Sequence, residues 1–218
     1  RAVQVAPDTT ATIHLERQQT WRSFLERVQK LAGALQALGV QPNDRVAILS
    51  LNSDRYIEYF FATVWAGAAM MPMNIRWAAP ECGYALNDAG AKVLLVDDAF
   101  ASLGKEVAGD VTSLETLIFC GDGETPEGML NYEEILKKAD PIPDAGRRDD
   151  DLAGIFYTGG TTGFPKGVML SHKNFYVSGN SNAQELKLSE CAVYLHAAPM
   201  FHIADLLWFL ATTFVSGT

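Results

Sequence analysis

From Trp21 to Ala139, short apolar runs alternate with stretches whose apolar residues recur at helical spacing. That alternation limits the chain more than any other feature. Trp21 to Leu38 reads as a helix with Phe24, Val28, Leu31, Leu35 and Leu38 on one stripe. Thr20 suits the N-cap. Gly39 suits a left-handed C-terminal cap, Val40 can pack back, and Pro42 blocks continuation. RVAILS, Arg45 to Ser50, follows as a short buried strand. Ser53 or Asp54 then caps a helix carrying Ile57, Phe60, Phe61, Val64 and Trp65. AAMMPMN supplies a strand, and Pro80 to Ala89 a helix closed by Gly90. KVLLVDD, Lys92 to Asp98, is the clearest strand. A short helix near Ala101 to Val107, the strand ETLIFCG and a helix over Asn131 to Ala139 complete this part.

Asp140 to Asp151, DPIPDAGRRDDD, is the sharpest shift in composition and reads as a surface linker. Beyond it come the strand LAGIFYT, a glycine- and threonine-rich loop and the strand GVMLS. A helix capped by Ser171 runs to about Leu186. AVYLHAAPM is predicted as a further strand, and Ile203 to Val215 as a helix. Strands alternating with helices predict an α/β fold, with mostly parallel sheets covered by helices.

With 218 residues, 48% of them hydrophobic, the chain can bury a core as one domain or two small ones. A net charge of −9 argues against a nucleic-acid partner. Cys82, Cys120 and Cys191 are far apart and show no ligand spacing, so buried reduced thiols are expected. No stretch resembles a signal peptide, and a cytoplasmic location is expected. The longest uncharged run, Tyr59 to Ile75, is broken by Pro72 and Asn74 and reads as core, not as an integral membrane segment. The chain opens on Arg1, and its last residues, FVSGT, stop without a terminal signal after a strongly apolar segment. It is therefore expected to be part of a longer protein.

The loop lies within YTGGTTGFPKGVMLSH, Tyr157 to His172. Its glycines can turn several N–H groups toward one point and admit a phosphate without a side-chain clash. Thr158, Thr161 and Thr162 add hydroxyls. Lys166 adds a cation that can follow a phosphate, and Pro165 stiffens the loop. Together these suit a polyphosphate. The Walker pattern fails, because Lys166 is followed by Gly167 and a predicted strand, not by Ser or Thr and a helix. The Rossmann glycine pattern is absent as well.

IFYTGGTTGFPKG resembles the phosphate-binding signature of the ANL superfamily of adenylate-forming enzymes, which includes acyl-CoA synthetases. Gly159 stands where that signature usually has serine. The likeness extends to LSLNSDRYIEYFFATVWAGAAMMPMN, AKVLLVDD, SHKNF and AAPMFHIADL, and so covers the whole chain. It implies that residues 1–218 are a partial N-terminal adenylate-forming (AMP-binding) domain. On this reading residues 140–151 are an internal surface linker, and the C-terminal domain is absent. The implied reaction joins a carboxylic acid, a fatty acid foremost, to ATP as an acyl-adenylate. Transfer to coenzyme A then releases AMP. ATP, Mg²⁺ and coenzyme A are the implied cofactors and co-substrates, and the isolated chain is expected to be inactive.

By the same resemblance, Thr158, Gly159, Gly160, Thr161, Thr162, Gly163 and Lys166 would hold the β- and γ-phosphates. A hydroxyl of Thr158 or Thr161 would reach Mg²⁺, with Thr158 preferred. Lys166 and His202 are the catalytic candidates. From its pattern alone His202 reads as a core residue; by resemblance, Pro199 to His202 would line the acid's pocket. Phe164 carries no expected chemistry. Tyr157 is expected to end its strand and pack, and His14, His172 and His196 to be structural. A homodimer stays open, as do a carrier-protein acceptor and a non-catalytic nucleotide-binding relative.

Overall fold

The computed structural model describes residues 2–158, 165–189 and 192–215. The short helix α1 (Ala2–Val5) and an antiparallel hairpin, β1 (Thr10–His14) and β2 (Arg17–Thr20), come first. Next are α2 (Trp21–Ala37), β3 (Arg45–Leu49), α3 (Asp54–Trp65), β4 (Ala69–Pro72), α4 (Ala79–Ala89) and β5 (Ala91–Val96). They are followed by α5 (Ala101–Ala108), β6 (Thr116–Phe119), the two-residue β7 (Leu130–Asn131) and α6 (Tyr132–Lys138). The remaining elements are β8 (Leu152–Thr158), β9 (Lys166–Ser171), α7 (His172–Glu185) and α8 (Ile203–Phe214).

Seven strands form one sheet in the order β7-β6-β5-β3-β4-β8-β9. All neighbours are parallel except β9, which runs antiparallel to β8. Both faces are covered at the central strands β3, β4 and β5, as a parallel sheet requires. Val46 and Ile48 of β3 point into a core shared with α2 and α3, while Ala47 and Leu49 point into one shared with α4 and α5. β8 continues the sheet begun by β3, so residues 140–151 separate no two sheets. Those residues run along α2 and α3, where Trp65 Nε1 donates to Ile142 O at 2.9 Å.

Local chemistry sets the helix ends. Thr20 and Ser23 form a reciprocal capping box at the start of α2. At its end, Val40 N–H bonds to Leu35 O and Gly39 N–H to Gln36 O, with Gly39 at φ 89°. This is the Schellman geometry that glycine makes accessible. Ser53, not Asp54, caps α3.

One expectation meets a correction, and one element went unforeseen. AVYLHAAPM, residues 192–200, forms no strand. Its alternation is real: Val193 and Leu195 are exposed, while Tyr194 and His196 turn inward. Period two shows an extended backbone, but a strand also needs a partner ladder. The hairpin β1–β2 left no turn signal in the sequence. Its two-residue connection is Leu15–Glu16, with Leu15 at φ 51°, where Gly, Asn or Asp would be usual.

Buried polar groups tie the layers together. Tyr59 of α3 is fully buried, and its hydroxyl donates to Val46 O and accepts from Met71 N–H, both at 2.7 Å. It thereby bridges β3 and β4. Tyr59→Phe leaves two buried backbone groups without that partner and is expected to cost about 1–3 kcal/mol. Urea unfolding measures it, and a loss under roughly 0.5 kcal/mol would show that the two groups re-pair.

A charged network joins the hairpin to α2, α3 and α6. Glu58, fully buried on α3, accepts from Arg27 Nε at 2.7 Å, Gln19 Nε2 at 2.7 Å and Tyr132 OH at 2.6 Å. Arg27 also reaches Glu133, and Arg55 reaches Glu133 and Asp122. Arg17 grips Asp54 through two nitrogens, at 2.8 and 2.9 Å. Burial alone would raise the Asp54 carboxyl, but Arg17 reverses that and holds it below the usual carboxylate range. Cys82 and Cys120 are buried thiols that burial pushes up to about 12; Cys191 lies outside the described residues. No helix among the described residues is long and apolar enough to cross a membrane.

Candidate functional site

The carboxyl end of β8 and the start of β9 frame the glycine- and threonine-rich loop. Thr158 faces Lys166 across the ladder, and its Oγ1 donates to Lys166 O at 3.4 Å. Both side chains are exposed, and Pro165 beside them is buried. Lys166 pairs with no carboxylate among the described residues. Gly159, Gly160, Thr161, Thr162, Gly163 and Phe164 lie outside the described residues.

The frame is fixed from behind. Tyr157 is the last residue but one of β8, one short of the expected strand end, and packs edge-on to Trp77 with ring centroids 6.0 Å apart. Its hydroxyl donates to Asp88 at 2.6 Å and lies 3.2 Å from Ala85 O, pinning the strand end to α4. Burial and the neighbouring carboxylate both raise this hydroxyl's pKa, so it stays protonated. A Cβ on Gly167 would stand 2.7 Å from Ile155 Cγ2 and 3.0 Å from the Tyr157 ring. Only glycine fits opposite that tyrosine without displacement. After β9, Ser171 and Asn174 form a capping box that starts α7. His172 sits at that start, half-buried, and burial lowers its pKa, which favours the neutral ring.

His202 lies at the other candidate position. It is the exposed N-cap residue of α8, and its ring stacks on Phe201 with centroids 4.1 Å apart. The segment leading to it is held by Asn52, just beyond β3. Asn52 Nδ2 donates to His196 O at 3.0 Å and Ala198 O at 2.7 Å, and Oδ1 accepts from Met200 N–H at 2.8 Å. β3, β4 and β8 are parallel neighbours, so their carboxyl ends share one edge of the sheet. The ends of β3 and β8 lie two strand spacings apart, roughly 10 Å. One sheet edge therefore carries both the anchor of the Pro199–His202 segment and the frame of the loop, where parallel α/β sheets place their ligands. Phe209 is buried and Trp208 is 41% exposed.

Sequence reading missed Asn52 and Asp205. Asp205 is fully buried in the first turn of α8, accepting from Tyr194 OH at 2.9 Å, with His196 Nδ1 at 2.7 Å. Its signal was available: it is the one charge in IADLLWFLATTF. Asn52 gave none, because it looks like an ordinary polar residue ahead of a helix. Among the described residues, no cluster of three or more His, Cys, Asp or Glu is placed to hold a metal ion.

The long-chain-fatty-acid–CoA ligase of Thermus thermophilus is 38% identical over 84% of this chain and 34% of its own length. The 4-hydroxybutyrate–CoA ligase 2 of Metallosphaera sedula is 29% identical over the whole chain and 41% of its length. The chain thus spans less than half of these curated relatives. In three dimensions it matches the anthranilate CoA ligase AuaEII, solved with anthranoyl-AMP. The TM-score is 0.87 at 27% identity, covering 96% of this chain and 42% of that one. The family described as AMP-binding enzyme matches residues 1–218, and the chain belongs to that family.

Proposed function

We propose that the chain is the N-terminal part of an AMP-forming acyl-CoA ligase. The observation that carries this is the loop frame: an exposed Lys166, with no ion pair among the described residues, facing Thr158 across the hairpin base, with glycines and threonines between them in sequence. Residues 1–218 would form a partial adenylate-forming domain, with 140–151 a surface connection inside it and the C-terminal domain lying elsewhere in the protein. Thr158, Gly159, Gly160, Thr161, Thr162, Gly163 and Lys166 would hold the β- and γ-phosphates of ATP. The exposed hydroxyl of Thr158 suits a hard cation, and Mg²⁺ held there would neutralise phosphate charge.

In the first half-reaction a carboxylate oxygen attacks the α-phosphorus, and the bond to pyrophosphate breaks. Little covalent work falls to side chains, so alignment and charge dominate. Lys166 would meet negative charge on the departing phosphates, and His202 would line the acid's pocket. The thiol of coenzyme A would then attack the acyl carbon and release AMP. The acids in the relatives' names are long-chain, hydroxylated and aromatic. A fatty acid is the substrate we propose for this protein.

The test is carboxylate-dependent ATP–pyrophosphate exchange by the full-length protein, across fatty, aryl and amino acids. Exchange with fatty acids supports the proposal. Exchange with aryl or amino acids corrects the substrate, and none with any acid removes the ligase reading. The isolated 218-residue chain is expected to form no acyl-adenylate; measurable formation would show that residues 1–218 already hold a complete site.

A further inference from the structure

We propose that Asn52 and Asp205 are positioning residues that hold the Pro199–His202 segment in register with the acid to be activated. The proposal rests on the acyl-CoA ligase reading above and extends it to two residues that never touch substrate.

Residues 192–199 have no strand partner among the described residues, so no ladder fixes their backbone. Two side chains take over that task. Asn52 acts from the sheet side and turns both ends of its amide to the same segment. Its amide nitrogen holds two carbonyls and its oxygen one N–H, on alternate residues 196, 198 and 200. That pattern is the contact a neighbouring strand would offer to one side of an extended chain.

Asp205 acts from the helix side. It is fully buried, yet both its oxygens are engaged, one by the Tyr194 hydroxyl and one by His196 Nδ1. A buried carboxylate is costly unless each oxygen finds a partner, so its presence fixes those two rings against α8. The His196 ring packs further on Tyr194 and Phe209, with centroids 4.8 and 5.2 Å away. The segment is therefore gripped on alternate residues from both sides. His202 N–H bonds to Pro199 O within the gripped stretch, and His202 O accepts from Asp205 N–H. Any slip of the segment would move the His202 ring relative to the sheet edge. It would leave the frame between Thr158 and Lys166 where it is, since that frame is anchored to α4 through Tyr157.

Asn52→Ala in the full-length protein separates these roles. Hydrogen exchange of the Met200 amide, which loses its acceptor, should speed up about tenfold or more, while the β5 and β6 amides stay unchanged. In pyrophosphate exchange, the KM for the acid should rise about tenfold and that for ATP should change less than about twofold. Asp205→Ala should give the same split, and Asp205→Asn, which keeps an acceptor for Tyr194, should recover part of it. A merely structural role would lower the active fraction and leave both KM values alone. Equal changes in the two KM values, or a Met200 amide unchanged in an active protein, overturn the proposal. No exchange in the unsubstituted protein overturns the ligase reading, and the acid-binding half of this proposal with it.

Discussion

Lys166→Ala in the full-length protein is expected to lower acid-dependent ATP–pyrophosphate exchange by about 10- to 1000-fold. The side chain is exposed, makes no ion pair among the described residues and contributes nothing to the core. Its removal should leave thermal stability intact, so a fall in rate would report on chemistry alone. The range is wide because the cation acts at the edge of solvent, where water screens part of its charge. Lys166→Arg keeps the charge but changes its reach and should recover only part of the rate. An unchanged rate in Lys166→Ala would mean that phosphates are not held at this hairpin.

Glu58→Ala is the substitution expected to damage the fold most. The carboxylate has no exposure and serves three partners at once. Without it, Tyr132 OH is buried with no acceptor and Arg27 keeps only Glu133. Removing one member of a buried charged group typically costs about 3–5 kcal/mol. For a chain of this size that is a drop in Tm of roughly 6–20 °C. Replacing Arg27 and Glu58 together with apolar residues should recover much of the loss, because no lone charge then remains. Thermal unfolding of the single and double variants decides it. A shift under about 2 °C for Glu58→Ala would show that water re-enters and satisfies Arg27.

The sequence made visible what depends on neighbours in the chain. Helix α2 announces itself through Phe24, Val28, Leu31 and Leu35, and its two ends through Thr20 and Gly39. The loop between Thr158 and Lys166 stood out because a bare, local stretch is what phosphate binding by backbone would need. What stayed hidden depends on residues far apart. Nothing in Asn52 predicts that its amide meets residues 196–200, and nothing in Glu58 predicts that Arg27 and Tyr132 converge on it. The strand predicted at AVYLHAAPM failed for the same reason: alternation is a property of one segment, whereas a ladder belongs to two. The hairpin β1–β2 was missed because Leu15 adopts a positive φ that its side chain does not advertise.

The order of strands also carries a message about time. β4, β3, β5, β6 and β7 close among themselves, each contact made by a chain already synthesised up to Asn131. β8 then enters beside β4, with Gly154 against Met70, a pairing distant in sequence. Its antiparallel partner β9 is next to it in the chain and can zip locally. Distant pairings are slow to find, and local ones quick. The hairpin that carries Thr158 and Lys166 can therefore form early as a free unit and dock late. Its docking surface is a sheet edge that must already exist, so any lesion that slows closure of the five strands from β3 to β7 delays the docking of this hairpin without touching one of its residues.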